Sequence, residues 1–285
     1  MSHANDTKAP SSLSFEFFPP KDEAGIDRLI SGTASRLSAF RPDYFSVTSG
    51  AGGSTRAGTQ ALVEKLIRSG ASVVPHLSVG GSTDAEVDRL VEHYEGLGIR
   101  RILCLRGDQP ADGGQRTVFA KDLVEQLHQR FPGQFELSVA AYPEIHPDSA
   151  SAKEDIRYFA AKVHAGASSA ITQYFYSTDA YGYFIERCEK AGVHIPIHVG
   201  VMPITNIDAL QRFSAKAGAD IPRWLGKSMA SYANDEKGLV SFGVDVVTNL
   251  CEKLLQMGAP GLHFYTLNRW GASSQICRNL GFPEH

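Results

Sequence analysis

Eight short runs rich in β-branched and aromatic residues recur along the 285-residue chain, and their spacing restricts the fold more than any other feature. They are Ser14–Phe18, Tyr44–Thr48, Val73–Ser78, Arg101–Leu105, Glu136–Tyr142, Ala170–Phe175, His194–Val199 and Gly261–Thr266. Most are dense enough in apolar residues to read as strands buried on both faces. Their starts fall at a pitch of about 30 residues, which is what an eightfold β/α barrel of ~250 residues requires. Helical stretches fill the intervals. Thr83 with Glu86, and Ser151 with Glu154, are spaced like capping boxes. Asp84–Leu97 carries Val87, Leu90, Val91 and Tyr94 on one face, and Lys121–Gln129 repeats the pattern with Leu123, Val124 and Leu127. Only the interval before the last run is long, and it holds three helical stretches: Asp208–Lys216, Pro222–Ser231 and Asn234–Met257. The pattern predicts an α/β fold: a single (β/α)8 TIM barrel over residues 13–285, with an extra helical insertion before strand eight. Residues 1–12 are expected to form a disordered tail. A doubly wound open sheet is the alternative, because closure leaves no mark on a sequence.

Composition narrows what such a barrel binds. Apolar residues make up 42% of the chain and charged residues 21%, enough for a large core and unlike a disordered segment. With 28 Lys and Arg against 31 Asp and Glu, the net charge is −3, and no long basic run marks a nucleic-acid footprint. No apolar stretch approaches the ~20 residues that span a bilayer, so no membrane is expected. The polar stretch Met1–Ser12 lacks the apolar region of a signal peptide. Cys104, Cys188, Cys251 and Cys277 lie far apart, which suits a reduced, cytoplasmic chain better than a disulfide scaffold or a zinc ribbon.

Barrels of this kind build their active sites at the C-terminal ends of the strands, and those ends are polar here. Glu16 lies within FEFFPP. Thr48 and Ser49 lead into Gly50, Gly52, Gly53, Ser54 and Thr55, and His76 sits in the third run. Leu105, Arg106, Gly107 and Asp108 close the fourth run, while Tyr142, Glu144 and His146 follow the fifth. Thr172 and Gln173 belong to the sixth, and the eighth leads to Asn268 and Arg269.

Two readings of Glu16 stay open. Facing inward among aromatic rings, an unpaired carboxyl would have a raised pKa and suit a general acid near neutral pH. Facing outward, it would pair with a helix. His76 reads equally as a satisfied core histidine, and Asp108 as a turn cap. His93, His128 and His164 look like solvated helix faces, and His198 in the seventh run has no evident role.

Several familiar signatures fail. GAGGST ends on Thr55 where a dinucleotide fingerprint needs glycine, and GxxxxGK[ST], HExxH and GxSxG are missing. A metal-dependent hydrolase or lyase built from Glu16, His76, Asp108 and His146 is one alternative activity, although no His-x-His pair marks a metal and no metal ligands are assigned.

Taken in order, FEFFPPK, SVTSGAGGSTR, PHLSV, LRGD, SVAAYPEIHPDS, KVHAGASSAITQYFY, GVMPITN and HFYTLNR resemble the methylenetetrahydrofolate reductase family. The likeness runs from about Ser14 to Gly281 and is closest to the short bacterial type, which carries only the catalytic barrel. It implies a (β/α)8 barrel that binds FAD without a dinucleotide fingerprint. It also implies NADH or NADPH as reductant and ping-pong reduction of 5,10-methylenetetrahydrofolate to 5-methyltetrahydrofolate. Glu16 would be the general acid that opens the imidazolidine ring. Asp108 would contact the pterin and tune the flavin, Gln173 would hydrogen-bond the pterin, Phe213 would stack on the substrate, and Arg269 would help hold the folate. The flavin pattern falls on Thr48, His76, Leu105, Arg106, Gly107, Asp108, Ala120, Tyr142, His146, Asp155 and Lys162, with Arg106 and Lys162 toward the pyrophosphate. Members commonly form dimers or tetramers, so the resemblance implies a homo-oligomer. Departures fall at Ser49, at Tyr158 and Ala161 where a polar or basic contact is common, and at His198 and Val199. They thin the expected flavin phosphate contacts. A catalytically silent folate-binding protein is a further alternative.

Overall fold

The computed structural model describes residues 12–49, 55–78, 83–107 and 118–285. Asp108 lies outside the described residues, as do Gly50, Gly52, Gly53, Ser54 and residues 1–11 of the expected tail. Eight strands form one sheet: β1 (Leu13–Phe17), β2 (Tyr44–Val47), β3 (Val73–Ser78), β4 (Arg101–Leu105), β5 (Glu136–Ala141), β6 (Ser169–Thr172), β7 (Ile197–Val201) and β8 (Leu262–Tyr265). Each pairs in parallel with its sequence neighbours, and β8 returns to β1 with Ser14 opposite His263 and Glu16 opposite Tyr265. The sheet is therefore closed, and the open-sheet alternative falls.

Helices follow the strands. A broken helix after β1 comprises α1 (Glu23–Arg28), a π-helical stretch (Leu29–Ala34) and α2 (Ser35–Ser38). Single helices follow the next five strands: α3 (Arg56–Arg68), α4 (Asp84–Gly96), α5 (Ala120–Arg130), α6 (Ala152–His164) and α7 (Thr178–Lys190). The long interval holds α8 (Ile207–Ala217), α9 (Arg223–Ala230) and α10 (Glu236–Gln256), the insertion expected before strand eight, and α11 (Gly271–Asn279) completes the ring. Long α10 buries Leu239, Val244, Val247, Cys251 and Leu254 and packs on α7, α11 and β7.

Local chemistry explains the boundaries. Thr83 and Glu86 form the full capping box of α4. Ser151 caps α6 through the Glu154 amide, while the Glu154 carboxylate lies 3.6 Å from Arg157. Strand β7 begins three residues later than the sequence pattern suggests. Pro196 has no N–H for a ladder, so pairing starts at Ile197. Strand β6 ends at Thr172, which leaves Gln173 beyond the ladder at the rim.

The two faces of the sheet differ sharply. Leu13, Phe15, Phe17, Phe45, Val47 and Phe264 point outward into the main core beneath the helices, with Phe17 and Phe45 stacked at 5.1 Å. The alternate residues line the lumen, since side chains along a strand alternate in direction. There the apolar content is a small cluster of Tyr44, Val74, Leu103 and Ile171. Leu105 packs against it and Ala140 adds a methyl group, but most other lumen positions are polar, unlike the apolar two-faced strands expected from composition. At the N-terminal end, Arg101 pairs with Glu136 at 2.7 Å and sits over the Tyr44 ring at 5.2 Å. His198 opposes Ile171 in register and lies within electrostatic reach of His263 and Arg101. It is thus a lumen residue, and burial lowers its pKa to about 4. Among the described residues, no helix is long and apolar enough to cross a membrane.

Candidate active site

Glu16 faces the lumen. Its Oε2 lies 3.5 Å from Nε2 of His76 on β3 and 3.7 Å from Nε2 of His263 on β8. Strands β1 and β3 are not neighbours, so the first contact is made across the barrel interior. The outward, helix-paired reading of Glu16 is thereby excluded. Burial pushes the Glu16 carboxyl above its usual range, and His76 pulls weakly the other way. The two imidazoles are themselves buried, which lowers His76 to about 4 and His263 to about 3. Both are therefore neutral at pH 7, and among the described residues neither imidazole offers Glu16 a cationic partner there. Such a carboxyl tends to keep its proton.

His263 is fully buried, with Nδ1 2.7 Å from Ser14 Oγ and Nε2 3.4 Å from Ser46 Oγ. The Tyr265 hydroxyl donates to the Thr172 carbonyl at 2.7 Å. Its ring crosses the space above Gly200, where a Cβ would come within 2.0 Å of the Thr172 carbonyl oxygen and 2.7 Å of the ring. Ser14, Ser46, His263 and Tyr265 were not singled out from the sequence. The signal was available in SFEFF and LHFY, where polar residues alternate with aromatics at strand period.

Because the strands are parallel, the other candidates gather at one rim. Thr48 follows β2, and its buried hydroxyl has no hydrogen-bond partner among the described residues. The same holds for Nε2 of His76. Leu105, Arg106 and Gly107 end β4, with Gly107 in the left-handed region at φ 80°. Arg106 pairs with Asp148 at 2.5 Å, and the Asp148 amide donates to Nδ1 of His146 at 3.0 Å. The His146 ring meets Tyr142 edge-on at 4.5 Å. Ala120 opens α5.

On α6, buried Asp155 accepts from the Ser149 hydroxyl at 2.8 Å. Lys162 is drawn between α6 and β5, where its amine donates to the Ala140 carbonyl at 2.5 Å. Burial lowers it to about 8, with Asp155 opposing. Tyr158, one of the family departures, is exposed beneath the Arg157 guanidinium, and Ala161 is half-buried.

Gln173 and Tyr142 line one small crevice together with Ala217, Gly218 and Ala219 at the end of α8. Phe213 stands exposed on α8, and Arg269 is exposed beyond β8. Asn268, with Leu267 before it, adopts positive φ and binds both backbone groups of Phe18: it accepts from the amide at 3.1 Å and donates to the carbonyl at 2.8 Å. Thr266 adds a 2.6 Å bond from its hydroxyl to the Glu16 carbonyl. The chain that follows the acid is thus tied to the segment just after β8.

Of the proposed hydrolase set, Glu16 and His76 meet in the lumen, whereas His146 lies with Tyr142 and Asp148 at the β5 rim. Among the described residues, no group of three or more His, Cys, Asp or Glu side chains is arranged to hold a metal ion. The orphaned Thr48 hydroxyl and His76 nitrogen do fit an organic cofactor with polar ring edges. A buried polar group without a partner costs about 1–3 kcal/mol until a ligand supplies one.

The chain is similar to known proteins over nearly its whole length. The family model described as methylenetetrahydrofolate reductase matches residues 1–281. The 5,10-methylenetetrahydrofolate reductase of Pectobacterium carotovorum is 35% identical over 95% of this chain and 90% of its own length. That of Buchnera aphidicola from Schizaphis graminum is 37% identical over 94% and 91%. Among solved structures, a Clostridium thermocellum protein described as binding two copies of 5-methyl-5,6,7,8-tetrahydrofolic acid shares the fold, with a TM-score of 0.67 and 18% identity over 95% of this chain and 94% of that one. With a family match over nearly the whole length and relatives above 30% identity, the chain belongs to the methylenetetrahydrofolate reductase family.

Proposed function

We propose that this chain reduces 5,10-methylenetetrahydrofolate to 5-methyltetrahydrofolate with NADH or NADPH in ping-pong order, with FAD as bound cofactor and Glu16 as general acid. Family membership supports the folate reduction. The observation that carries the acid role is the Glu16 carboxyl itself, buried in the lumen between two neutral imidazoles. When bound, FAD would accept hydride from the nicotinamide and pass it to the folate. Glu16 supplies the proton: its carboxylic acid protonates a nitrogen of the imidazolidine ring, the C–N bond to that nitrogen breaks, and the resulting iminium carbon becomes the hydride acceptor. The imidazoles do not compete as acids at pH 7, because with pKa values lowered to about 4 and about 3 they have already lost the imidazolium proton well below neutrality.

The rim groups have matching chemistry. Thr48 and His76 offer unsatisfied polar atoms to a flavin edge. Arg106, held by Asp148, and the backbone at Gly107 suit an anionic linker approaching closely. The Gln173 amide presents both a donor and an acceptor to a pterin. Phe213 offers an exposed ring for stacking, and the Arg269 guanidinium suits a folate carboxylate. Asp108 would complete the pterin contacts. A Clostridium thermocellum protein of the same fold, described as binding 5-methyl-5,6,7,8-tetrahydrofolic acid, is consistent with folate binding by this chain.

Stopped-flow mixing under anaerobic conditions separates the two halves of the reaction. In Glu16→Gln, NADH is expected to bleach the flavin absorbance, whereas reoxidation by methylenetetrahydrofolate slows by about 10²–10⁴-fold, the usual contribution of a general acid. Normal folate turnover in this variant would refute the acid assignment. A purified protein without flavin absorbance, even after FAD is added, would refute the cofactor.

A further inference from the structure

We propose that Tyr174 is a positioning residue for the folate: its hydroxyl, paired with Ser214, sets where α8 carries the Phe213 ring. This inference rests on the reading of Phe213 as the ring that stacks on the substrate. A polar side chain stands in an unexpected place. Helix α8 is amphipathic, and its buried residues are Leu210 and Ser214. A hydroxyl on such a face costs free energy unless it is paired. Ser214 finds its partner in the Tyr174 hydroxyl, 3.1 Å away, and both residues are only 3% exposed. Tyr174 stands just beyond Thr172, the last residue of β6, so the bond joins the helix to the rim of the barrel.

The same residue reaches a second substrate-facing group. The Tyr174 backbone amide donates to Oε1 of Gln173 at 3.0 Å, which fixes how the Gln173 amide is turned, because a backbone N–H can only donate. Tyr174 therefore holds Gln173 through its main chain and the helix that bears Phe213 through its side chain. Phe213 is 41% exposed, so the backbone of α8 does most to place its ring. Ala217, one turn further on and on the same face, lines the crevice shared with Gln173 and Tyr142. That face of α8 is thus the one turned toward Gln173.

The C-terminal end of α8 has its own attachments. A Glu144 carboxyl oxygen accepts from the Asp220 amide at 2.9 Å. Gly218, at φ 69°, lies so close to Pro147 that a Cβ would come within 2.6 Å of that ring. The Tyr174–Ser214 bond adds a second fixed point, one turn earlier and next to Phe213 in the chain. Without it, α8 keeps its end but loses the polar contact that sets its height and rotation at Phe213. The ring then spends less time where a bound folate needs it, and affinity falls.

The test is a double-mutant cycle on folate binding by the full-length protein reconstituted with FAD. Isothermal titration calorimetry gives the dissociation constant of 5-methyltetrahydrofolate for each variant. Tyr174→Phe deletes only the hydroxyl and is expected to weaken binding ~2–10-fold, the range for one hydrogen bond. Phe213→Ala should weaken it by at least as much. In the double variant the two losses should not multiply, because Tyr174 acts through Phe213. A hydroxyl that only stabilised the fold would lower the unfolding midpoint and leave the dissociation constant where it was. If Tyr174→Phe does not fold, Ser214→Ala breaks the same bond from the helix side and takes its place in the cycle. An unchanged dissociation constant in Tyr174→Phe, or losses that multiply in full with Phe213→Ala, would overturn the proposal. Phe213→Ala by itself separates the two readings. Unaffected binding in Phe213→Ala removes the stacking role and Tyr174's role with it. Weakened binding in Phe213→Ala beside unchanged binding in Tyr174→Phe removes the role of Tyr174 alone.

Discussion

Glu16 is a carboxyl held where its charge is expensive, and that cost gives it a measurable pH signature. Because its pKa is raised by burial, its contribution to stability is greatest below the unfolded value of 4.5 and declines as pH rises through the folded value. Replacing it with neutral, similarly shaped Gln removes that decline. Glu16→Gln should melt higher than the wild type at pH 8, and the difference should vanish toward pH 4.5. Thermal unfolding across that range checks the sign, and a wild-type advantage at pH 8 would mean a paired, ionised Glu16. The aromatic flanks of Glu16 were visible in FEFFPP, and a raised pKa follows from them if the side chain faces inward. Which way it faced was not visible, since a glutamate between phenylalanines is equally compatible with a surface ion pair. Contact with His76 across the lumen decides it.

At the scale of elements, closure of β8 on β1 builds the site. Thr266 and Asn268 fasten the backbone around Glu16 and Phe18, and Tyr265 reaches over Gly200 to Thr172. Gly200→Ala would drive a methyl group into the Thr172 carbonyl and the Tyr265 ring. A destabilisation of about 1–3 kcal/mol by chemical denaturation is expected, as for an overpacked core. Asn268→Ala should cost about 1–2 kcal/mol for the two hydrogen bonds to Phe18. It should also slow the folate half-reaction more than flavin reduction by NADH, because the tie lies beside the acid. Stopped-flow rates for both halves check this split. Strand existence and order were legible in the pitch of the eight runs, as was the helical insertion. Strand ends were less so, because pairing depends on partners distant in sequence; β7 could begin only after Pro196, and β6 stopped short of Gln173.

Across the whole molecule, three neutral histidines set the acid limit of the fold. His76 and His198 are lowered to about 4 and His263 to about 3, all by burial. Below the unfolded value of 6.5, the unfolded chain takes up protons that the folded chain refuses, so stability falls as pH drops toward 4, by up to about 1.4 kcal/mol per pH unit for each histidine. Glu16 and Glu144, both raised by burial, have the opposite sign, while His146, also lowered by burial, adds to the three histidines. A midpoint of chemical unfolding that falls steeply between pH 6.5 and 4, and less steeply in His198→Leu, is the expected result. The sequence by itself determined the parallel alternation of strands and helices, the long insertion, the polar strand ends and the family, because local periodicity and motif order survive without any knowledge of contacts. Only the tertiary structure decided that the sheet closes, that its lumen is polar, and that Glu16, His76 and His263 meet there. These residues are separated by up to most of the chain, and only closure of the barrel turns their alternating directions into a shared interior.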